Sequence, residues 1–267
     1  MATQLLIYET VVPLTADQHR QYSLDTNVNY GFSAKVNSVP LMAVEFPHAA
    51  AEYAIVFAGT GENVMPAVIL GLRGDENLYL SGESEWQAKY KPAFVRRYPF
   101  VFSPTPDGQR LLLCIDEEFS GFNKDGRGQK LFDAEDKPTP YVDNILKFLQ
   151  EYQRQFQRTR EFCKKVVELD LLEPMQAQVE MRSGEKLSLR GFMAVNRTKL
   201  KAVPGDKLAE LAKTDELELL YLHLQSMRNF TGLPERLGGR SELPMNAAVG
   251  TTPGPNGANG AAKADST

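Results

Sequence analysis

The strongest constraint in the chain is a long, one-sided helical pattern in its second half. Thr139 stands where an N-cap belongs, Pro140 at the first helical position, where a missing N–H costs nothing, and Asp143 in the acidic first turn. Apolar residues then recur at Ile145, Leu149, Tyr152, Phe156, Cys163 and Val166, all on one face, while Glu151, Arg154, Arg158 and Glu161 occupy the others. The spacing predicts a helix to about Leu169, before Glu173-Pro174 interrupts the chain. A helix that long with one apolar face needs a surface to cover it, so it should lie across a sheet or against other helices.

Upstream, the pattern is that of strands. Candidates are residues 39–46, 53–57, 67–72, 78–80, 99–103 and 110–115, separated by the turn signals Gly59-Thr60-Gly61, Arg73-Gly74-Asp75 and Pro104-Thr105-Pro106-Asp107-Gly108. The clearest hairpin is the last pair. Gaps this short favour antiparallel pairing, because a parallel crossover needs a dozen residues or more. Downstream of the long helix, residues 177–181 and 186–190 read as a hairpin about Ser183-Gly184, and 195–200 as a short helix stopped by Pro204-Gly205. Residues 206–230 read as two helices joined near Lys213-Thr214, with Asp215 and Glu218 at capping-box spacing and Leu219, Leu222 and Met227 on a buried stripe. The expected fold is therefore α+β: a β-rich part over residues 1–138, a mainly helical part with a small hairpin over 139–239, the two forming one compact domain, and a tail at 240–267. That tail is mostly Ala, Gly, Pro, Asn, Thr and Ser, with no aromatic residue, too little apolar surface to offset its ordering entropy.

Composition excludes several functions. Thirty Lys plus Arg against 34 Asp plus Glu leave a formal charge of -4, no electrostatic basis for a nucleic-acid partner. Two cysteines, Cys114 and Cys163, cannot build a disulfide framework or a cysteine-only zinc site, and both read as small buried hydrophobes. The three histidines, His19, His48 and His223, have no spaced partner, so neither a metal nor a cofactor is expected. No apolar run reaches bilayer length, and residues 1–8 lack a basic n-region and a long apolar h-region, so the expected location is cytoplasmic.

Local motifs fail on chemistry. Gly59-Thr60-Gly61-Glu62-Asn63-Val64 begins like a dinucleotide loop, but its third glycine position is Val64 and Glu62 would repel a phosphate. Gly82-Glu83-Ser84-Glu85-Trp86 begins like a nucleophile elbow, but puts Trp86 where a tiny residue is required. Asn123-Lys124-Asp125-Gly126 resembles part of a calcium loop whose closing carboxylate position is Phe132. Arg73-Gly74-Asp75 reads as a turn. No catalytic residue emerges.

One stretch carries more: Tyr90-Lys91-Pro92-Ala93-Phe94-Val95-Arg96-Arg97-Tyr98-Pro99-Phe100 sets two guanidinium groups among four aromatic rings. Arginine grips a carboxylate with two N–H groups and stacks on rings, so Arg96, Arg97 and Tyr98, with Glu45 and His19, are candidates to hold an anionic or peptide ligand. The competing expectation is structural: the rings fill a core while the arginines pair with Glu45, Asp116 or Glu117.

The same residues carry a family resemblance. Val39-Pro40-Leu41 with Glu45-Phe46, Tyr90 to Phe94 and Arg96-Arg97-Tyr98-Pro99-Phe100, followed by Leu131-Phe132-Asp133, Pro138-Thr139-Pro140 and Gly191-Phe192, resemble bacterial SapC proteins over roughly residues 5–232. The resembled family is the surface-layer-associated one, not the peptide-transporter permease of the same name. The resemblance implies association with a bacterial surface layer or envelope, and with it a cell-surface connection. It brings no catalytic mechanism to transfer. Similar proteins occur beside genes for outer-membrane receptors, flavin-dependent halogenases and cupin-like oxygenases. The expected function is thus a non-enzymatic protein acting through a protein partner or an anionic or peptide ligand. The alternative is an intracellular enzyme or accessory subunit serving an oxygenase or halogenase system. A cleft joining Glu45, Arg96 or Asp116 to His19 would be its mark.

Overall fold

The computed structural model describes residues 5–27, 29–82, 84–180 and 186–238. Its chain order is β1 (Val11–Pro13), α1 (Ala16–His19), β2 (Ser23–Leu24), β3 (Ser38–Pro40), α2 (Phe46–Ala49), β4 (Ile55–Ala58), β5 (Met65–Ile69), α3 (Ala93–Arg96), β6 (Phe100–Pro104), β7 (Leu111–Asp116), β8 (Phe122–Asn123), β9 (Gln129–Lys130), α4 (Pro140–Glu168), β10 (Leu172–Glu180), β11 (Lys186–Val195), α5 (Arg197–Lys201), α6 (Gly205–Lys213), α7 (Glu216–Ser226) and α8 (Leu233–Gly238). The fold is α+β, with antiparallel pairing throughout the sheets.

Strand order in the largest sheet is β10-β11-β4-β5-β3, so strands from both halves of the sequence share it. A second sheet runs β1-β7-β6 and contains the expected hairpin, with Phe100 opposite Ile115 and Phe102 opposite Leu113. Residues 177–180 pair with 186–189, within the hairpin anticipated over 177–181 and 186–190, but β10 starts earlier, at Leu172, and runs through Pro174. Proline is tolerated there because β10 lies at the sheet edge, where one side of the strand needs no partner. The turn expected at Ser183-Gly184 and the tail at 240–267 lie outside the described residues.

Helix α4 starts at Pro140 and ends at Glu168, as its punctuation indicates. Thr139 takes the N-cap position, but its hydroxyl donates to the Lys130 carbonyl at 2.7 Å rather than capping the helix. The helix bridges two cores. Val142 and Leu149 pack with Leu24, Phe100, Ile115, Phe119 and Leu131, while Phe162, Cys163 and Val166 pack with Phe46, Phe57 and Leu220. Each large side chain so buried is worth roughly 1.5–3 kcal/mol, enough to hold a helix whose other faces are charged.

Some local expectations are corrected. Residues 39–46 form a strand only to Pro40; a 3₁₀ turn, Ala43–Glu45, then leads into α2. Leu41, Met42, Ala43 and Phe46 are all buried while Val44 is exposed, so the apolar run that read as strand is a largely buried turn. Residues 78–80 form no strand, only the isolated bridge Leu80–Trp86. Helices α6 and α7 are joined at Asp215, which adopts φ 60°, and its side chain makes no capping bond, so the expected capping box is absent. Gly59 takes φ 102° and a Cβ there would collide with the Asn63 carbonyl, so the glycine-rich segment is a tight turn. Ser84 sits in a loop at φ 61°, its N–H bonded to the Ser81 carbonyl, and Glu83 lies outside the described residues.

Candidate functional site

The site is built around Glu45, which closes the 3₁₀ turn and precedes α2. The turn is pinned from across the fold: the buried Thr159 hydroxyl on α4 accepts the Ala43 N–H at 2.9 Å and donates to the Gln155 carbonyl at 2.7 Å. Glu45 is itself only 3% exposed. One carboxylate oxygen accepts the Met42 N–H at 2.8 Å; the other accepts the Ala93 N–H and the Tyr90 hydroxyl, both at 2.7 Å. It thereby satisfies the otherwise orphaned first amide of α3. Burial pushes the Glu45 carboxyl above its ordinary range, against the pull of these donors and of Arg96.

Beside Glu45 opens a cleft of about 290 Å³, walled by Met42, Val44, Phe148 and Tyr90. Arg96 and His48 line it too, as do Glu151, Tyr152 and Gln155 of α4. Arg96 is exposed and oriented by what it touches. Its Nε donates to the Lys91 carbonyl at 3.0 Å, and its guanidinium lies 5.3 Å from the Phe148 ring centre and 5.9 Å from that of Tyr90. His48 stacks on the other aromatic partner, Tyr90, at 5.4 Å. Among the described residues Arg96 forms no ion pair; its Nε is taken by the Lys91 carbonyl and the guanidinium also meets the Tyr90 side chain, which leaves only part of its donor set for an anion.

The sequence candidates divide. Glu45 and Arg96 meet in the cleft. Arg97 is buried instead, its guanidinium 4.4 Å from the Phe94 ring, 4.8 Å from Tyr152 and 5.6 Å from Tyr8. Tyr98 donates to Asp116 at 3.0 Å and stacks on Phe32 at 4.0 Å. Asp116 also accepts the Glu9 and Thr10 amides, so Tyr98 helps moor the amino-terminal segment. His19 is buried against Tyr22, its Nδ1 3.1 Å from the backbone of Thr15. Neither His19 nor Asp116 lines the cleft.

Phe148, Tyr152 and Gln155 went unread as site residues, and His48 with them. The available signal was Gln155, a polar residue three positions after Tyr152 on an otherwise apolar helix face. Tyr152 is held as a neutral phenol, its pKa pushed up to about 12 by burial. Cys163 and Cys114 are free and buried; burial drives the Cys163 thiol to about 12, which makes it a packing residue rather than a nucleophile. Among the described residues no group of three His, Cys, Asp or Glu side chains is arranged to hold a metal.

A larger, more open groove of about 510 Å³ lies between Glu52 and α8. Two of its polar groups already have structural work: Glu52 accepts the Lys89 and Tyr90 amides, and Asn229 donates to the Ala50 and Tyr53 carbonyls. The Glu45 cleft is the better candidate because the exposed Arg96 guanidinium lies at it beside the Tyr90 and Phe148 rings.

Compared with known proteins, the chain matches the sequence model of the SapC family over residues 14–233, a span that includes every residue of the cleft. No curated protein and no solved structure matches it.

Proposed function

The chain belongs to the SapC family, and from that premise we propose that it is a binding protein of a bacterial surface-layer or envelope system, holding an anionic ligand against Arg96. The carrying observation is the exposed Arg96 guanidinium, set between the Tyr90 and Phe148 rings at the edge of an apolar cleft. Two flanking rings restrict the side chain before the ligand arrives, which lowers the ordering cost of binding. Of the neighbouring acids, Glu45 feels Arg96 through space but spends its hydrogen bonds on backbone amides and Tyr90, and Glu151 engages Arg154 and Gln155. Among the described residues no helix is long and apolar enough to cross a membrane.

Calorimetric titration with small carboxylates and with phosphate tests the site. Binding that falls about tenfold or more in Arg96→Gln is expected, the scale of losing a hydrogen bond to a charged group. No binding by any anion, or equal binding by the variant, would overturn the reading. The envelope connection is tested separately by fractionation with protease treatment of intact cells, and recovery in the cytosol alone would remove a direct role at the surface.

A further inference from the structure

Val44 lines the Arg96 cleft and is 48% exposed, although it stands in the middle of a largely buried turn. Both its neighbours are locked. The Ala43 N–H is bonded to Thr159 at 2.9 Å, and the Glu45 carboxylate grips the Met42 and Ala93 amides. Turning Val44 inward would break these buried bonds, so the branched side chain is held outward at the cleft. Phe148, half-buried, lines the same cleft with its ring centre 5.3 Å from the Arg96 guanidinium. An accessible apolar wall and an accessible cation therefore share one space.

We infer that the ligand is a monocarboxylate with an apolar tail, its head on Arg96 and its tail against Phe148 and Val44. This rests on the Arg96 reading and deepens it. The head follows from what Arg96 has left to give. With Nε on the Lys91 carbonyl and a contact to Tyr90, its remaining donors suit the two oxygens of one carboxylate better than the three of a phosphate. Among the described residues Arg96 is the only lysine or arginine lining the cleft, and Glu45 and Glu151 line it too. A second negative charge on the ligand would thus meet a carboxylate rather than a partner. The tail follows from the space. At a water's share of liquid volume, about 30 Å³, a cleft of about 290 Å³ holds roughly ten non-hydrogen atoms, the size of octanoate.

The test is an NMR titration of the full chain, at constant ionic strength and below micelle-forming concentrations, with acetate, butanoate, hexanoate, octanoate and octanedioate. Full burial of a methylene corresponds to about a fourfold gain in affinity, and on an open wall about twofold is expected. Octanoate should therefore bind about thirtyfold tighter than acetate, and shift the resonances of both Arg96 and Val44. Octanedioate, which carries its second charge onto the apolar wall, should bind more weakly than octanoate. In Val44→Ser the gain from acetate to octanoate should shrink about fivefold, while acetate binding, which also reports that the variant is folded, stays as it was. Arg96→Gln should weaken every acid. Arg96-dependent binding of acetate and octanoate with equal affinity overturns the inference and leaves the anion site intact. So does octanedioate binding as tightly as octanoate. Octanoate binding that Arg96→Gln leaves unchanged, or no binding by any of the acids, overturns the anion site itself.

Discussion

Arg97 and Arg96 are neighbours in sequence with opposite circumstances. Arg96 lies on the exposed side of α3, its stem held by one backbone carbonyl and its head between two rings. Arg97 is 4% exposed, and Phe94, Tyr152 and Tyr8 surround its guanidinium. A planar cation stacked on ring faces keeps part of the stabilisation it loses on leaving water, and its stem fills space that would otherwise be void. Arg97→Ala is therefore expected to cost roughly 2–4 kcal/mol, lowering the melting temperature by about 5–15 °C. Arg97→Lys should recover little, because an ammonium cannot lie flat on three rings. An unchanged melting temperature in differential scanning calorimetry would sink this assignment. The contrast also shows why composition alone left the pair ambiguous: one residue's rotation of about 100° decides which guanidinium meets water.

The 3₁₀ turn at Ala43–Glu45 is where elements from far apart in the chain become one site. Thr159 lies 116 residues from Ala43, yet its hydroxyl takes the turn's amide and passes its own proton to the Gln155 carbonyl within α4. Thr159→Val keeps the shape and removes both bonds. The Ala43 N–H would then be buried without an acceptor, at a cost of about 1–3 kcal/mol, and the turn that presents Glu45 would loosen. Urea unfolding should show that loss, and Thr159→Ser should restore most of it; a Val variant within 0.5 kcal/mol, about the scatter of neutral surface changes, would refute the pinning role. Such contacts explain what could be read in advance. Helix α4 and the β6–β7 hairpin were legible because their signals are local: a proline at the first helical position, a one-sided stripe, a Pro-Asp-Gly turn. The small sheet of β8-β2-β9 gave no signal, since strands of two residues carry no periodicity. Glu45 and Arg96 were legible as chemistry, but their meeting was not. Tyr152 reads as core from its spacing and is buried there, and only the position of the turn reveals that the residue also lines a cleft.

At the scale of the whole molecule, two buried titratable groups make stability depend on pH in opposite directions. His223 on α7 is fully buried, with its ring edge-on to Phe57. Its Nε2 accepts the Val195 N–H at 3.0 Å, so the ring proton sits on the buried Nδ1, which has no hydrogen-bond partner among the described residues. Burial lowers its pKa from 6.5 to about 4. Between those values the unfolded chain takes up a proton that the native state refuses. His223 thus contributes stability that is full above pH 6.5 and is lost as the pH falls towards 4, at most about 3 kcal/mol. Glu45 works the other way. Its carboxyl is raised above 4.5 by burial, so the native state holds a proton that the unfolded chain has released, and stability falls as the pH rises above 4.5. Above pH 4.5 the two slopes oppose each other and the wild-type profile should be shallow. His223→Gln keeps an acceptor for Val195 and removes the titration, leaving stability that declines with rising pH from 4.5. Glu45→Gln, though less stable overall because its NH₂ confronts a backbone donor, should show the reverse slope, rising from pH 4 to 6.5. Urea midpoints collected from pH 4 to 7 would separate the two contributions. A His223→Gln profile parallel to wild type would remove His223 from the account, and a Glu45→Gln profile parallel to wild type would remove Glu45.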